Sequence, residues 1–197
     1  MARAGLAAGQ KKARRNGWWV VFLDESGFFL HPLRRRTWAP KGKTPVQRAW
    51  DRRERLSVIS ALTLSPKGRL GLYFDLYGFN VATGEVMVML QGLMRRLCRR
   101  PGQKVVFVMD RLPAHRSAAK QLSARWGHRA EVEWLPAYAP DLNPAEQVWD
   151  RAKYHDLANY IPVHAEQLRL EVEASITRAD GQQHLLRSFF AWAGLKL

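Results

Sequence analysis

The chain has 197 residues, 47% of them hydrophobic, and its 32 Lys and Arg against 17 Asp and Glu give a net charge of +15. This apolar content excludes a disordered basic tail. The single cysteine excludes a disulfide framework or a cysteine-rich zinc site, and no apolar run approaches the ~20 residues of a membrane span. We therefore expect one soluble, cytoplasmic domain with a polyanionic partner, nucleic acid before others; a solvated basic surface is the alternative.

The basic residues concentrate at the start of the sequence. Residues 1–60 hold 14 Lys and Arg against 4 Asp and Glu, a net charge of +10. Residues 1–16 contain no acidic residue, so we interpret them as a basic, linker-like lead-in and residues 17–197 as the folded domain. A transit peptide is disfavoured because this segment is short, lacks serine and has no amphipathic repeat.

Short apolar runs predict the β-strands. Residues 18–23 read Trp-Trp-Val-Val-Phe-Leu and residues 105–109 read Val-Val-Phe-Val-Met, which is typical of strands buried on both faces. Residues 56–64 and 70–76 predict a hairpin around a Ser-Pro-Lys-Gly turn, and residues 132–135 predict a short strand.

Helical periodicity and helix breakers predict the remaining elements. Apolar residues at helical spacing indicate a helix over residues 83–100, which ends before a Pro-Gly pair. Further helices are predicted over residues 113–126, 144–158, 164–178 and 182–194. Because strands come first and then alternate with helices, we expect an α/β fold, a mixed sheet covered by helices.

Each of the two buried-strand runs is followed by an aspartate, Asp24 after the first and Asp110 after the second. If these strands are parallel neighbours, both side chains emerge at the carboxyl edge of the sheet, where open α/β sheets bind ligands. Two adjacent carboxylates favour a bound cation, and an all-oxygen site suits Mg²⁺ or Mn²⁺ rather than zinc. The alternative is that each Asp only ends its strand and caps the next turn.

A third carboxylate, Glu146, follows a proline-rich loop. Asn143 is the predicted N-cap of the next helix and Pro144 its first residue. A capping box, in which the Glu146 side chain accepts a hydrogen bond from the Asn143 backbone N–H, accounts for the glutamate without any function. A capping box does not explain the three prolines over residues 136–144. Their rigidity would fix the Glu146 carboxylate against the sheet edge.

These motifs resemble the DDE transposases, and most closely the bacterial insertion-sequence branch of the mariner-like superfamily. The likeness runs from about residue 18 to the C-terminus, and the proline-rich block is its most specific part. The 35 residues between Asp110 and Glu146 match the spacing of that branch. The motifs that carry the resemblance are Phe22–Phe28, Trp38–Gly42, Asp110 with His115 and Arg116, Tyr138–Glu146, and Leu186–Phe190.

The resemblance implies a ribonuclease H-like fold in which Asp24, Asp110 and Glu146 form a metal-binding catalytic triad. It implies two Mg²⁺ or Mn²⁺ ions, cleavage of DNA at the ends of a mobile element, and transfer of the freed 3′-hydroxyl to target DNA. The implied partner is double-stranded DNA, bound by a homodimer or higher oligomer in a nucleoid-associated complex.

Two features depart from the family pattern. Members carry an N-terminal helix-turn-helix that recognises the element ends, and the sequence before Trp18 predicts none, so we expect a separate DNA-recognition segment or its loss. Where the family has Asn or a small residue after the second aspartate, this chain has Arg111, which faces solvent, contacts a phosphate or competes with metal.

Several further residues are secondary candidates. His115 is predicted to orient water or a phosphate, or to be structural, and Glu25 to orient its neighbours through hydrogen bonds. Residues 36–45 predict a turn between short strands, where Trp38 packs across the hairpin rather than stacking on a base. Five residues are predicted to bind the DNA backbone, with a solvated hairpin as the alternative: Arg34, Arg35, Arg36, Lys41 and Lys43.

Two other functions are consistent with the sequence. The chain is then either a catalytically inactive, truncated transposase relic that only binds nucleic acid, or a ribonuclease H-like nuclease that acts on RNA or branched DNA. Cleavage assays with Mn²⁺ on duplex DNA and on an RNA–DNA hybrid distinguish these functions from strand transfer.

Overall fold

Five strands form one mixed sheet. The computed structural model describes residues 13, 15–31, 33–46, 48 and 54–197. Its strands are β1 (Trp19–Phe29), β2 (Arg55–Leu64), β3 (Leu70–Tyr77), β4 (Val105–Met109) and β5 (Ala130–Trp134). Their order across the sheet is β3-β2-β1-β4-β5. The first three strands pair antiparallel, whereas β4 pairs parallel with both β1 and β5, so the mixed sheet and the β2–β3 hairpin are as predicted.

Helices cover both faces of the sheet. In chain order they are α1 (Thr83–Leu97), α2 (Pro113–Trp126), α3 (Glu146–Arg151), α4 (Ala165–Asp180) and α5 (Gln183–Trp192). One hydrophobic core joins the sheet to α1 and α2, and a second core on the opposite face joins it to α3, α4 and α5. None of the described helices is long and apolar enough to cross a bilayer.

The central strand, β1, is buried on both faces of the sheet, which accounts for its continuous apolar sequence. Side chains alternate along β1, so Val20 and Phe22 face the core under the C-terminal helices, whereas Val21 and Leu23 face the core under α1 and α2. All four are at most 2% exposed. The Phe22 ring meets Phe190 of α5 edge to face at 5.5 Å, which fixes the C-terminal helix to the centre of the sheet.

The helix predicted over residues 144–158 is interrupted. After six residues of α3 the backbone widens into one π-helical turn over Ala152–Asp156. Such turns are rare and frequently occur at functional sites. The turn rotates the residues that follow relative to a regular α-helix, and this changes which of them face the sheet edge.

The segment between β1 and β2 differs from its prediction. A turn is present, with the Lys43 N–H donating to the Pro40 carbonyl and Gly42 at φ 80°, but no described residue of 36–45 forms a strand. The Trp38 side chain is fully exposed. The prediction that Trp38 packs across a hairpin is therefore wrong, because its side chain is exposed and the described residues of this segment form no strand. Of the predicted lead-in, residues 1–12 and 14 lie outside the described residues.

Candidate active site

The strand register brings Asp24 and Asp110 to the same level of the sheet. Parallel pairing between β1 and β4 ends at Phe22 and Val108, so each aspartate lies two residues beyond the last pair. Because side chains alternate with a period of two, both belong to the face covered by the C-terminal helices. The prediction that Asp24 ends its strand is wrong: pairing with β2 carries β1 onward to Phe29.

Asp24 is held by a side chain of α3. The Trp149 indole N–H donates to Asp24 Oδ2 at 2.8 Å, and the indole itself is buried in the core. Burial raises the pKa of Asp24 to about 7, repulsion from Glu146 adds to it, and the Trp149 hydrogen bond opposes it. The negative charge of Asp24 is therefore unfavourable in the metal-free protein, and a bound cation would stabilise it.

The loop before α3 is attached directly to β1. Asn143 is 3% exposed, and its amide Nδ2 donates to the carbonyl of Leu23 at 3.2 Å while its Oδ1 accepts from the Ala145 N–H. The Asn143 backbone N–H donates to Pro140 at 2.8 Å, so the capping-box interpretation of Glu146 is wrong. Asn143 therefore places Glu146 beside the strand that carries Asp24.

The three carboxylates interact electrostatically. Burial raises the pKa of Glu146, and repulsion from Asp110 and Asp141 adds to that shift while Lys153 opposes it. Repulsion from Asp110 also contributes to the raised pKa of Asp24. The structure thus brings the predicted acidic residues together at one sheet edge, although they are distant in sequence.

His115 lies between two carboxylates and is fully buried. Its ring nitrogens contact Asp110 Oδ1 at 2.5 Å and Glu25 Oε1 at 3.0 Å. Burial lowers the pKa of His115, but hydrogen bonds and charge attraction from both acids outweigh it and raise the pKa to about 9. At neutral pH the ring is an imidazolium that donates to both acids. Burial raises the pKa of Asp110, but the hydrogen bonds from His115 and from the Leu112 N–H, together with the charge of His115, outweigh it and lower that pKa.

Lys153 belongs to this site, and the sequence interpretation missed it. Its Nζ donates to Ser26 Oγ at 2.6 Å and stands 5.1 Å from the centre of the Phe28 ring. Burial lowers the pKa of Lys153, whereas Glu146 and Asp24 oppose that shift. Its spacing of seven residues from Glu146 would have placed both on one helix face.

Asp24, Asp110 and Glu146 offer oxygen donors, which a hard divalent cation prefers. The repulsion between their charges also favours a bound cation. Two of these oxygens are engaged, Asp24 Oδ2 by Trp149 and Asp110 Oδ1 by His115. Within the described part of the chain, no group of three or more His, Cys, Asp or Glu side chains is placed to hold a metal ion. The fit to a divalent metal is therefore one of donor type and charge, not of a preformed chelate.

The basic segment between β1 and β2 lies against the helix that follows Glu146. The Arg35 N–H donates to Asn159 Oδ1 at 2.8 Å, and its guanidinium stands 4.7 Å from the centre of the Tyr154 ring. Tyr154 is the neighbour of Lys153, so the segment borders the carboxylate site. All five predicted DNA-binding residues are exposed: Arg34, Arg35, Arg36, Lys41 and Lys43.

Comparison with known proteins identifies similar chains. Residues 19–169 match the family model of the DDE superfamily endonuclease. No curated protein matches the sequence.

Among solved structures, the Mos1 strand transfer complex aligns with a TM-score of 0.64 and 21% identity over 98% of this chain and 56% of that chain. The Mos1 mariner paired end complex with Mg aligns with a TM-score of 0.63 and 21% identity, over 98% of this chain and 58% of that chain. The Mos1 transposase catalytic domain solved with raltegravir and Mn aligns with a TM-score of 0.57 and 17% identity, over 98% of this chain and 90% of that chain. These likenesses confirm the predicted ribonuclease H-like fold, and this chain spans somewhat over half of the longer Mos1 chains.

Proposed function

Because the chain belongs to the DDE superfamily endonuclease family, we propose that it is the catalytic domain of a mariner-like transposase. In this proposal it cuts DNA at the ends of a mobile element and transfers the freed 3′-hydroxyl end to target DNA. The observation that supports the proposal is geometric: the register of β1 and β4 brings Asp24 and Asp110 to one level of the sheet, and the hydrogen bond from Asn143 to Leu23 holds the start of the Glu146 helix beside β1. Residues 17–197 are assigned to the catalytic domain and residues 1–16 to a linker.

Each residue of the site has a distinct task in this mechanism. Asp24, Asp110 and Glu146 would hold Mg²⁺ or Mn²⁺, which, when bound, lowers the pKa of water or a 3′-hydroxyl and stabilises the leaving oxygen. Trp149 orients Asp24 through its indole N–H, and His115 orients Asp110 through its ring N–H. These contacts keep the carboxylates in place while DNA enters.

The substrate is bound through charge. Arg35 lies over Tyr154, the neighbour of Lys153, and the exposed arginines of the segment between β1 and β2 would neutralise backbone phosphates of duplex DNA. Mos1 chains are solved in paired-end and strand-transfer complexes, so we extend the proposal to assembly of two or more copies around DNA. We also propose that a separate segment recognises the element ends, and that the chain belongs to the bacterial insertion-sequence branch of the mariner-like superfamily.

Replacing Arg34, Arg35 and Arg36 with glutamine is expected to flatten the salt dependence of duplex DNA binding. Each lost phosphate contact reduces the slope of log K against log salt by ~0.9, so the slope should fall by about 2.7. Fluorescence anisotropy between 50 and 200 mM KCl measures it. A control that removes three exposed arginines elsewhere (Arg95, Arg125, Arg169) separates local contacts from net charge, and equal slopes for the two variants would contradict this role.

Trp149→Phe is expected to lower the DNA cleavage rate by about 10–100-fold, the usual cost of removing a group that orients a metal ligand. Phenylalanine keeps an aromatic ring in the core but cannot donate to Asp24 Oδ2. Single-turnover cleavage measures the effect. Trp126→Phe is the control, because the Trp126 indole N–H has no hydrogen-bond partner among the described residues. A Trp149→Phe enzyme with the parent's rate and a lowered melting temperature would leave Trp149 a packing role only.

Incubation with a labelled duplex and Mn²⁺ or Mg²⁺ tests the function itself. The DNA should carry the ends of the element, and a helix-turn-helix segment should be supplied in trans. We expect strand nicks that leave a 3′-hydroxyl and that EDTA abolishes. Binding without cleavage under all these conditions favours the inactive relic, and preferential cleavage of an RNA–DNA hybrid favours a nuclease that acts on RNA.

A further inference from the structure

A groove of about 740 Å³ runs between helix α2 and the edge strand β5. Its lining includes Arg111, Arg116 and Lys120 on one side and Trp134 on the other. None of its described lining residues is acidic. The groove lies outside the carboxylate site, and the mechanism above assigns it no task.

The three cations of this groove are available to a ligand. Arg111, Arg116 and Lys120 are exposed, and none takes part in an ion pair formed by the described residues. Other arginines of the fold are already engaged: Arg151 pairs with Asp156, for example. Three unpaired cations around one concave surface therefore attract an anion with several charges.

The spacing of the groove suits a nucleic-acid backbone. Arg116 and Lys120 are four residues apart on α2, which places their Cβ atoms on one face about 5–6 Å apart. The β5 side extends for about 13 Å over Ala130–Trp134, roughly the rise of four nucleotides of one strand. The half-buried Trp134 adds an aromatic surface on which a base can stack.

The groove lies on the α2 face of the sheet and begins next to the carboxylate edge. Trp134 is paired with Met109, the residue before Asp110, and Arg111 directly follows Asp110. A DNA strand that passes the carboxylates and crosses this edge of the sheet would meet the groove at Arg111. An acidic protein segment would meet the same charges, but only DNA is already required at the adjoining edge.

We propose that the groove between α2 and β5 binds the backbone of the DNA strand that leaves the carboxylate site. This inference rests on the proposed function and extends it to a second DNA contact. It assigns Arg111, the departure from the family pattern, a phosphate contact. Phosphate contacts and stacking on a base carry no sequence information, so binding in the groove should not depend on sequence.

The test compares DNA binding by two charge-matched variants of the full chain in EDTA, where no cleavage occurs. Arg116→Gln/Lys120→Gln removes two groove cations, and Arg125→Gln/Arg169→Gln removes two exposed cations elsewhere. Anisotropy of a fluorescein-labelled 30-bp duplex is followed from 50 to 200 mM KCl. We expect the slope of the groove variant to fall by about 1.8 relative to the control variant. Equal slopes overturn the proposal.

A second pair of variants adds a charge instead of removing one. Ser123→Glu places a carboxylate in the groove, whereas Ala124→Glu places one at the next exposed position of α2, outside it. We expect Ser123→Glu to weaken DNA binding several-fold more than Ala124→Glu, with equal melting temperatures. Equal binding by these two variants also overturns the proposal and leaves the groove to an acidic protein.

Cleavage assays keep this inference separate from the proposed function. If the parent cleaves DNA and both groove variants bind like their controls, the function stands and the groove proposal fails. If the parent never cleaves but the groove variants bind DNA less well than their controls, the groove proposal stands and the catalytic function fails.

Discussion

Glu146→Gln is expected to lower Mn²⁺-dependent DNA cleavage by about 10²–10³-fold, the range for loss of one preorganised electrostatic contact to a transition state. Glutamine keeps the size of the side chain and the start of α3, but it removes the charge that would hold the cation. Because burial and repulsion disfavour that charge in the metal-free protein, the variant should melt at the same temperature as the parent or above it. Single-turnover cleavage and thermal melting in EDTA measure the two effects.

Metal addition gives this prediction a second readout. Binding of Mg²⁺ or Mn²⁺ to the folded state should raise the melting temperature of the parent, because ligands that bind only the native state stabilise it by mass action. The rise should be lost in Glu146→Gln and kept in Glu173→Gln, which changes an exposed glutamate of α4. An active Glu146→Gln enzyme with the parent's response to metal would show that Glu146 is not part of the site.

Local sequence pattern was sufficient for the elements of this fold. The α2 helix and the β4 strand have the predicted bounds, because each carries an unbroken pattern between clear breakers. Apart from β1 and the π-helical turn, the other strands and helices shift by a few residues at most, where end assignments vary. The extension of β1 beyond Asp24 was not predictable, since its polar Asp-Glu-Ser-Gly residues become a strand only by pairing with β2.

For the site, likewise, some features follow from local sequence and others from contacts between distant segments. The sequence places Asp24 and Asp110 after buried strands, but only the register of β1 and β4 shows that they reach one level. The position of Glu146 depends on the hydrogen bond from Asn143 to Leu23, a contact 120 residues apart. The π-helical turn and the groove beside β5 depend on packing between distant segments, which no single-sequence pattern reports.

The ionic contacts of the buried His115 ring should dominate the stability of the site. His115→Leu leaves Asp110 and Glu25 without their shared donor, and removing one partner of a fully buried ion pair costs several kcal/mol. Because the Asp110 side chain is 43% exposed, solvent reduces this cost, and we expect a loss of roughly 1–3 kcal/mol in the free energy of unfolding near pH 6. Cleavage should also fall by about 10–100-fold, because Asp110 loses the group that orients it. Denaturant unfolding in EDTA and single-turnover cleavage measure these effects.

The pH dependence separates charge from packing in this prediction. The folded-state pKa of about 9 lies above the ordinary value of 6.5, so the stabilisation by the imidazolium is complete below about pH 6.5 and is lost as the pH rises through about 9. The stability difference between the parent and His115→Leu should therefore be largest near pH 6 and shrink towards pH 9. His184→Leu, at an exposed position of α5, is the control. A difference that stays constant from pH 6 to 9 would mean that His115 is neutral and contributes only packing.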